Sequence, residues 1–254
     1  MLDYKQKILI EKAARDAGFE IAIADETAGA RFRSSLVPGE LAITVVDGGY
    51  RIAIESDMVM RELVANFLPH RKDCEVGGSA IIGVGTLALQ DLAERIFQLS
   101  MALPSKPLDL FNQRIAGMPA STEIERLVIQ RVGQDIFREA LDRYWIGKCA
   151  VTGVSDRQLL RASHILPWSL CETGDQRLDV FNGVLLVAHL DAAFDAALLS
   201  FDENGVPMFS KALSKKAIDC LTGSLGDRAV TFTDRHQSYL RHHRARFRAA
   251  SASR

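Results

Sequence analysis

The chain has 254 residues, a near-even balance of 31 basic and 32 acidic side chains, and 48% hydrophobic residues. That length suits one large domain or two small ones, and no apolar run reaches the roughly 20 residues that a membrane span needs. A net charge of −1 excludes a protein coated in positive potential, although nucleic acid binding depends on where charge sits more than on its sum. The opening MLDYKQKILIEKAARDAG interleaves charge with apolar residues and lacks the apolar core of a signal peptide, so a cytoplasmic protein is expected. The four cysteines, Cys74, Cys149, Cys171 and Cys220, form no CxxC pair, which argues for plain thiols over a structural zinc site.

Residues 4–17 carry an amphipathic helical pattern that Gly18 stops. FEIAIAD (19–25) alternates like a strand, and LAITVV (41–46) and YRIAIE (50–55) flank Asp47-Gly48-Gly49 as a hairpin. Ser56 is placed to cap a helix reaching Leu68, and Thr86 a second helix reaching about residue 103. GGSAIIGVGT (77–86) lacks the Walker lysine and the GxGxxG spacing, so its glycines read as turns before a helix. Residues 1–105 are therefore expected to form a small α/β domain.

Pro104, Pro107 and the polar stretch through Pro119 read as a linker over 106–120. Thr122-Glu123-Ile124-Glu125 has capping-box spacing and opens a long helix through Tyr144, with Gly133 as an expected interruption. Next come a short strand and turn at CAVTG (149–153), a strand in LLRASHILPW (159–168), an apolar run at 180–187, and helical spacing in HLDAAFDAAL (189–198). LLSFDENGVPMF (198–209) reads as a further hairpin about Asn204-Gly205. The basic stretch RHQSYLRHHRARFR (235–248) has five arginines, three histidines and no acidic residue.

The ordered set of His164-Ile165, Pro167-Trp168, Asn182-Gly183-Val184-Leu185-Leu186, Asp191, Phe194-Asp195 and Ser200-Phe201-Asp202 resembles the HNH endonucleases of the ββα-metal fold. The YLRHHRARF ending (239–247) resembles the way members of that subgroup finish. The resemblance implies an α+β chain: the small domain first, then a ββα-metal nuclease domain with flanking helices over 121–254. It also implies a metal-dependent DNA endonuclease. His164 stands where the family places its general base, and an imidazole near pKa 6.5 suits proton abstraction from water. Asn182 would hold the loop and the base by hydrogen bonding. Asp191, nine residues after Asn182, occupies the usual helix ligand position for one divalent ion, with His189 beside it as a second ligand. Oxygen ligands favour Mg²⁺, while a histidine admits Mn²⁺, Ni²⁺ or Zn²⁺. Ser163 departs from the family, which often has a ligating Asp or His directly before the base.

Arg161, Arg241, Arg244 and Arg246 are the expected phosphate contacts. Phe194 and Trp168 read as core, Asp195 as a loop anchor, and Asp179 as a tie to Arg177. The layout resembles restriction or defence nucleases with a variable reader in front. A homodimer cutting both strands and a nicking enzyme with one site per chain both fit it. The alternative is an HNH-fold DNA-binding module with weakened catalysis, a reading raised by Ser163.

Overall fold

The computed structural model describes residues 3–26, 28–223 and 229–252. It divides into two compact units, residues 1–103 and 104–254.

In the first unit, helix α1 (Tyr4–Ala17) ends at Gly18, whose φ of 107° suits a residue without a side chain. A β-carbon there would lie 2.6 Å from the Phe97 ring, so α1 and helix α3 (Gly85–Ala102) meet closely at this point. Strands β1 (Ile21–Glu26), β2 (Gly29–Arg33), β3 (Glu40–Val46), β4 (Gly49–Ile54), β5 (Cys74–Gly77) and β6 (Ala80–Gly83) form one antiparallel sheet in the order β1-β2-β3-β4-β6-β5. The expected hairpin is present, with Val46 opposite Gly49.

Alternate residues Phe32, Leu41, Ile43, Ile52 and Ile54 are buried, as the two-residue strand period requires. Exposed Arg31, Arg33 and Arg51 alternate with them. An open concavity of about 630 Å³ is lined by Arg31, Glu40, Ala42, Ala53, Glu55 and Arg61.

Several local expectations change here. The expected helix from Ser56 is α2 (Asp57–Glu62), capped by the Ser56 side chain, and it then widens into a π turn (Leu63–Phe67). Pro69 falls in the closing 3₁₀ turn, where its missing N–H is tolerated. Half of the glycine-rich 77–86 stretch is strand: Gly78, at φ 69°, turns β5 into β6, and Gly85 opens α3. Val84, not Thr86, precedes α3 as its N-cap.

In the second unit, the expected linker contains helix α4 (Lys106–Ile115). Helix α5 (Glu123–Tyr144) starts on the expected capping box, with Thr122 Oγ1 accepting from the Glu125 N–H. Gly133 does not interrupt it. A β-carbon at Gly133 would lie 2.7 Å from the Trp168 ring, so the glycine admits that indole against the helix.

The CAVTG segment is a turn bonded onto β8 (Gly183–Val187) through the Ala150 N–H and the Leu185 carbonyl, and it forms no strand. β7 (Leu160–His164) pairs antiparallel with β8. This hairpin packs against α5 and against α7 (Ala188–Asp195), and the short helix α6 (Gly174–Leu178) lies beside α5. β9 (Leu199–Phe201) and β10 (Pro207–Phe209) form the second hairpin, followed by α8 (Lys215–Thr222) and α9 (Asp234–Ala252). Leu160, Ile165, Val184, Leu186, Leu190, Phe194, Phe201 and Leu240 share the core. Among the described residues, no helix is long and apolar enough to cross a membrane.

Candidate functional site

β7 presents its last two residues to opposite sides. Ser163 pairs across the hairpin with Val184, and His164 with Gly183. Gly183 is required by close approach: a β-carbon there would lie 2.5 Å from Phe137 Cζ and 2.8 Å from Leu141 Cδ1. Its absence lets α5 come down on the hairpin, and Phe137 stacks on the His164 ring at 3.7 Å and 15°. Trp168 meets the same ring edge-on at 5.5 Å.

His164 Nε2 lies 2.9 Å from the Arg177 carbonyl oxygen. A carbonyl only accepts, so Nε2 carries the proton and Nδ1 keeps the lone pair. Burial pushes the imidazole down to about pKa 4, while the Arg177 carbonyl works the other way. The ring is neutral at pH 7 and retains partial exposure.

Asn182 is fully buried. Its Oδ1 accepts from the Leu166 N–H at 2.7 Å, and its Nδ2 donates to the Gln176 carbonyl at 2.9 Å and the Leu166 carbonyl at 3.2 Å. It thus clips both ends of the 166–176 loop, one residue from the carbonyl that holds His164. Through this loop Asn182 is linked to the His164 ring.

On the other side of the hairpin, Ser163 Oγ donates to Asp191 Oδ1 at 2.5 Å. Asp195 follows one helical turn later on the same face of α7. Partial burial and then the Asp191 charge push the Asp195 carboxyl up, and Arg246 pulls it down. Arg246 also donates to the Asp195 carbonyl at 3.1 Å. His189 is exposed and lies two residues before Asp191, about 200° around the helix. Ser163 thus meets Asp191, Asp195 stands one turn on, and His189 is exposed. Asp195 was read from sequence as an anchor; its spacing of four from Asp191 was the signal for a shared face.

The basic helix α9 splits into two roles. Arg241 is exposed. Arg244 is 4% exposed and spends its guanidinium on the Phe201 carbonyl, Gln237 and Glu203. It is a buried strut in place of the expected phosphate contact. His243 donates from Nε2 to the Phe194 carbonyl at 3.0 Å, accepts from Ser200 at Nδ1, and stacks on the Phe194 ring. His236 sits among Tyr144, Trp145, Phe181 and Phe232. Burial pushes His243 to about pKa 4 and His236 to about 3.

Asp179 accepts from the Phe181 N–H and the Tyr239 hydroxyl and pairs with Arg235, which corrects the expected tie to Arg177. Arg161, exposed on β7, folds its guanidinium onto the Gln158 and Leu160 carbonyls.

Among the described residues, no three His, Cys, Asp or Glu side chains gather as a metal-binding group. The Asp191–Asp195 pair with Ser163 nevertheless suits a hard cation. Mg²⁺ keeps several waters and is usually held by one or two carboxylates plus substrate phosphates, not by a complete protein cage. A bound cation would also offset the like-charge repulsion at Asp195.

No curated protein matches the chain. Residues 149–202, which span β7, β8, α7 and β9, match the family model of HNH endonucleases. The second half of the chain thus carries an HNH endonuclease domain, which supports a function of the nuclease type.

Proposed function

We propose that the chain is a metal-dependent DNA endonuclease of the restriction or defence kind, with residues 1–103 as its reader. The observation that carries the catalytic part is the clamped tautomer of His164. With Nε2–H held by the Arg177 carbonyl, Nδ1 is left to take a proton from the attacking water. Asn182 keeps the clamp in register. Asp191 and Asp195, with the Ser163 hydroxyl, are the groups that would hold one divalent ion, Mg²⁺ or Mn²⁺ by their oxygen chemistry. That ion would supply charge neutralisation for the scissile phosphate and the leaving oxygen. Arg246, already beside α7, and exposed Arg241 meet the flanking phosphates, and Arg161 meets them once it leaves its local carbonyls.

The reader role rests on the open concavity of the first unit, which Arg31 and Arg61 line beside Glu40, Glu55 and Asp57. Free thiols at all four cysteines suit a cytoplasmic location. Cutting both strands calls for two such chains.

A second reading, a DNA-binding module with weakened catalysis, is favoured by the Ser163–Asp191 bond, which occupies a carboxylate that the metal needs. Plasmid nicking with Mg²⁺, Mn²⁺ or EDTA separates the two. The proposed enzyme nicks only with metal, and His164→Ala lowers the rate on the order of 10²–10⁴-fold. Nicking that survives His164→Ala rejects the base assignment. Specific DNA binding with no cleavage by the parent chain favours the second reading.

A further inference from the structure

The carbonyl that holds His164 belongs to a helix of little more than one turn. α6 has five residues, Gly174–Leu178, and a helix of that length has no stability of its own. The last carbonyls of any helix lack intrahelical partners. Here two of them serve the site: Gln176 accepts from the Asn182 amide, and Arg177 accepts from His164 Nε2. Thr173 caps the start of the turn, its Oγ1 accepting from the Gln176 N–H at 3.2 Å, and buried Leu178 seats its end.

The Arg177 side chain spans what lies between. Its Nη2 donates to the Cys171 carbonyl at 2.5 Å, six residues back, and so closes α6 onto the 166–176 loop. Its guanidinium lies 5.8 Å from the Trp168 ring centre, a cation–π distance. Trp168 is in turn seated against α5 at Gly133 and meets the His164 ring edge-on. Arg177 thus reaches the imidazole twice, directly by its main chain and through the indole by its side chain. Its Nε is buried with no hydrogen-bond partner among the described residues. An orphaned buried donor costs stability, so packing alone would favour an apolar side chain at this position.

We propose that the Arg177 guanidinium is a positioning group for the base: by bracing the Cys171 carbonyl and the Trp168 ring, it aims the Arg177 carbonyl at Nε2 and thereby leaves the lone pair of His164 on Nδ1. In this assignment the side chain touches neither DNA nor the attacking water. Its work is done on the loop, and its effect is read at the ring. The inference rests on His164 as the general base, but its first test reads the imidazole itself and needs no cleavage.

Ring-nitrogen NMR of the full chain at pH 7 gives the tautomer of each imidazole. In the parent, His164 should carry its proton on Nε2 alone. In Arg177→Met, which keeps the apolar stem and removes the donors, that ring should populate both tautomers. Arg177→Lys, which keeps a cation for Trp168 and a donor for the Cys171 carbonyl, should recover the single tautomer. Fully buried His243, held at both ring nitrogens by Phe194 and Ser200, is the control for the fold and should keep its tautomer in every variant. In plasmid nicking with Mg²⁺, Arg177→Met should lower kcat about 10–100-fold with KM within about twofold of the parent. An unmoved His164 tautomer in Arg177→Met overturns the proposal. So does a His243 that changes along with His164, which would make the effect a general loosening of the unit. A raised KM with kcat unchanged would make Arg177 a DNA contact, and also overturns it. A parent that nicks no DNA rejects the cleavage reading, and the ring spectra alone then uphold or overturn the role of Arg177.

Discussion

At position 164 two effects compete for one imidazole. Packing under Phe137 and Trp168 drives the charged form out, and the Arg177 carbonyl favours it. Burial wins, so the acidic limb of kcat/KM assigned to this group belongs near pH 4 in place of 6.5. Asn182→Ala releases the Leu166–Gln176 loop and lets water to the ring. We expect kcat to fall about 10–100-fold with little change in KM, and the limb to move upward. A pH–rate profile of both proteins checks this, and an unmoved limb would contradict the positioning role. His164, Asn182 and Asp191 were legible because their order and spacing are themselves the family signal. Ser163 was legible only as a departure, because its partner Asp191 stands 28 residues away in sequence.

Between elements, one close approach lies where α5 crosses β8. Gly183→Ala places a methyl 2.5 Å from Phe137 and 2.8 Å from Leu141, both in the packed core. The expected cost is about 1–3 kcal/mol, read as a lowered urea midpoint. A second expectation of the same variant is loss of nicking, since the displaced ring is the one stacked on His164.

Elements with clean periodicity were readable: α1, the β3–β4 hairpin and the capped start of α5 all formed where the pattern placed them. β2 was missed because Gly29-Ala30-Arg31-Phe32-Arg33 shows one large apolar residue, and its partners lie on β1 and β3. The β5–β6 hairpin was hidden in glycines, which local rules score as loop although pairing with β4 makes them strand. The inward turn of Arg244 and His243 was illegible for a similar reason. A basic helix shows which side is buried only once β9 and α7 lie against it.

For the whole molecule, histidines divide unevenly between the two units. Residues 1–103 hold one, exposed His70. Residues 104–254 hold fully buried His236 and His243, both held by burial below the ordinary imidazole value of 6.5. The unfolded chain therefore binds more protons than the folded one between these values. This stabilisation is complete above about pH 6.5 and is lost as pH falls toward 4 and 3, by up to about 1.4 kcal/mol per pH unit for each imidazole. Acid titration followed by near-ultraviolet dichroism, which sees both tryptophans of the second unit, should show it melting first. His243→Gln should flatten the slope; an unchanged slope would refute the linkage.

The clasp between His243 and the Phe194 carbonyl has a consequence for biosynthesis. The stretch 149–202 emerges from the ribosome before α9 does, so a nascent or truncated chain ending short of Asp234 already displays every residue of the motif. It nevertheless lacks the imidazole that fastens the helix bearing Asp191 and Asp195. On the proposed reading, competence to cut would wait for later translation, and a prematurely terminated fragment should leave the DNA of the cell that makes it intact.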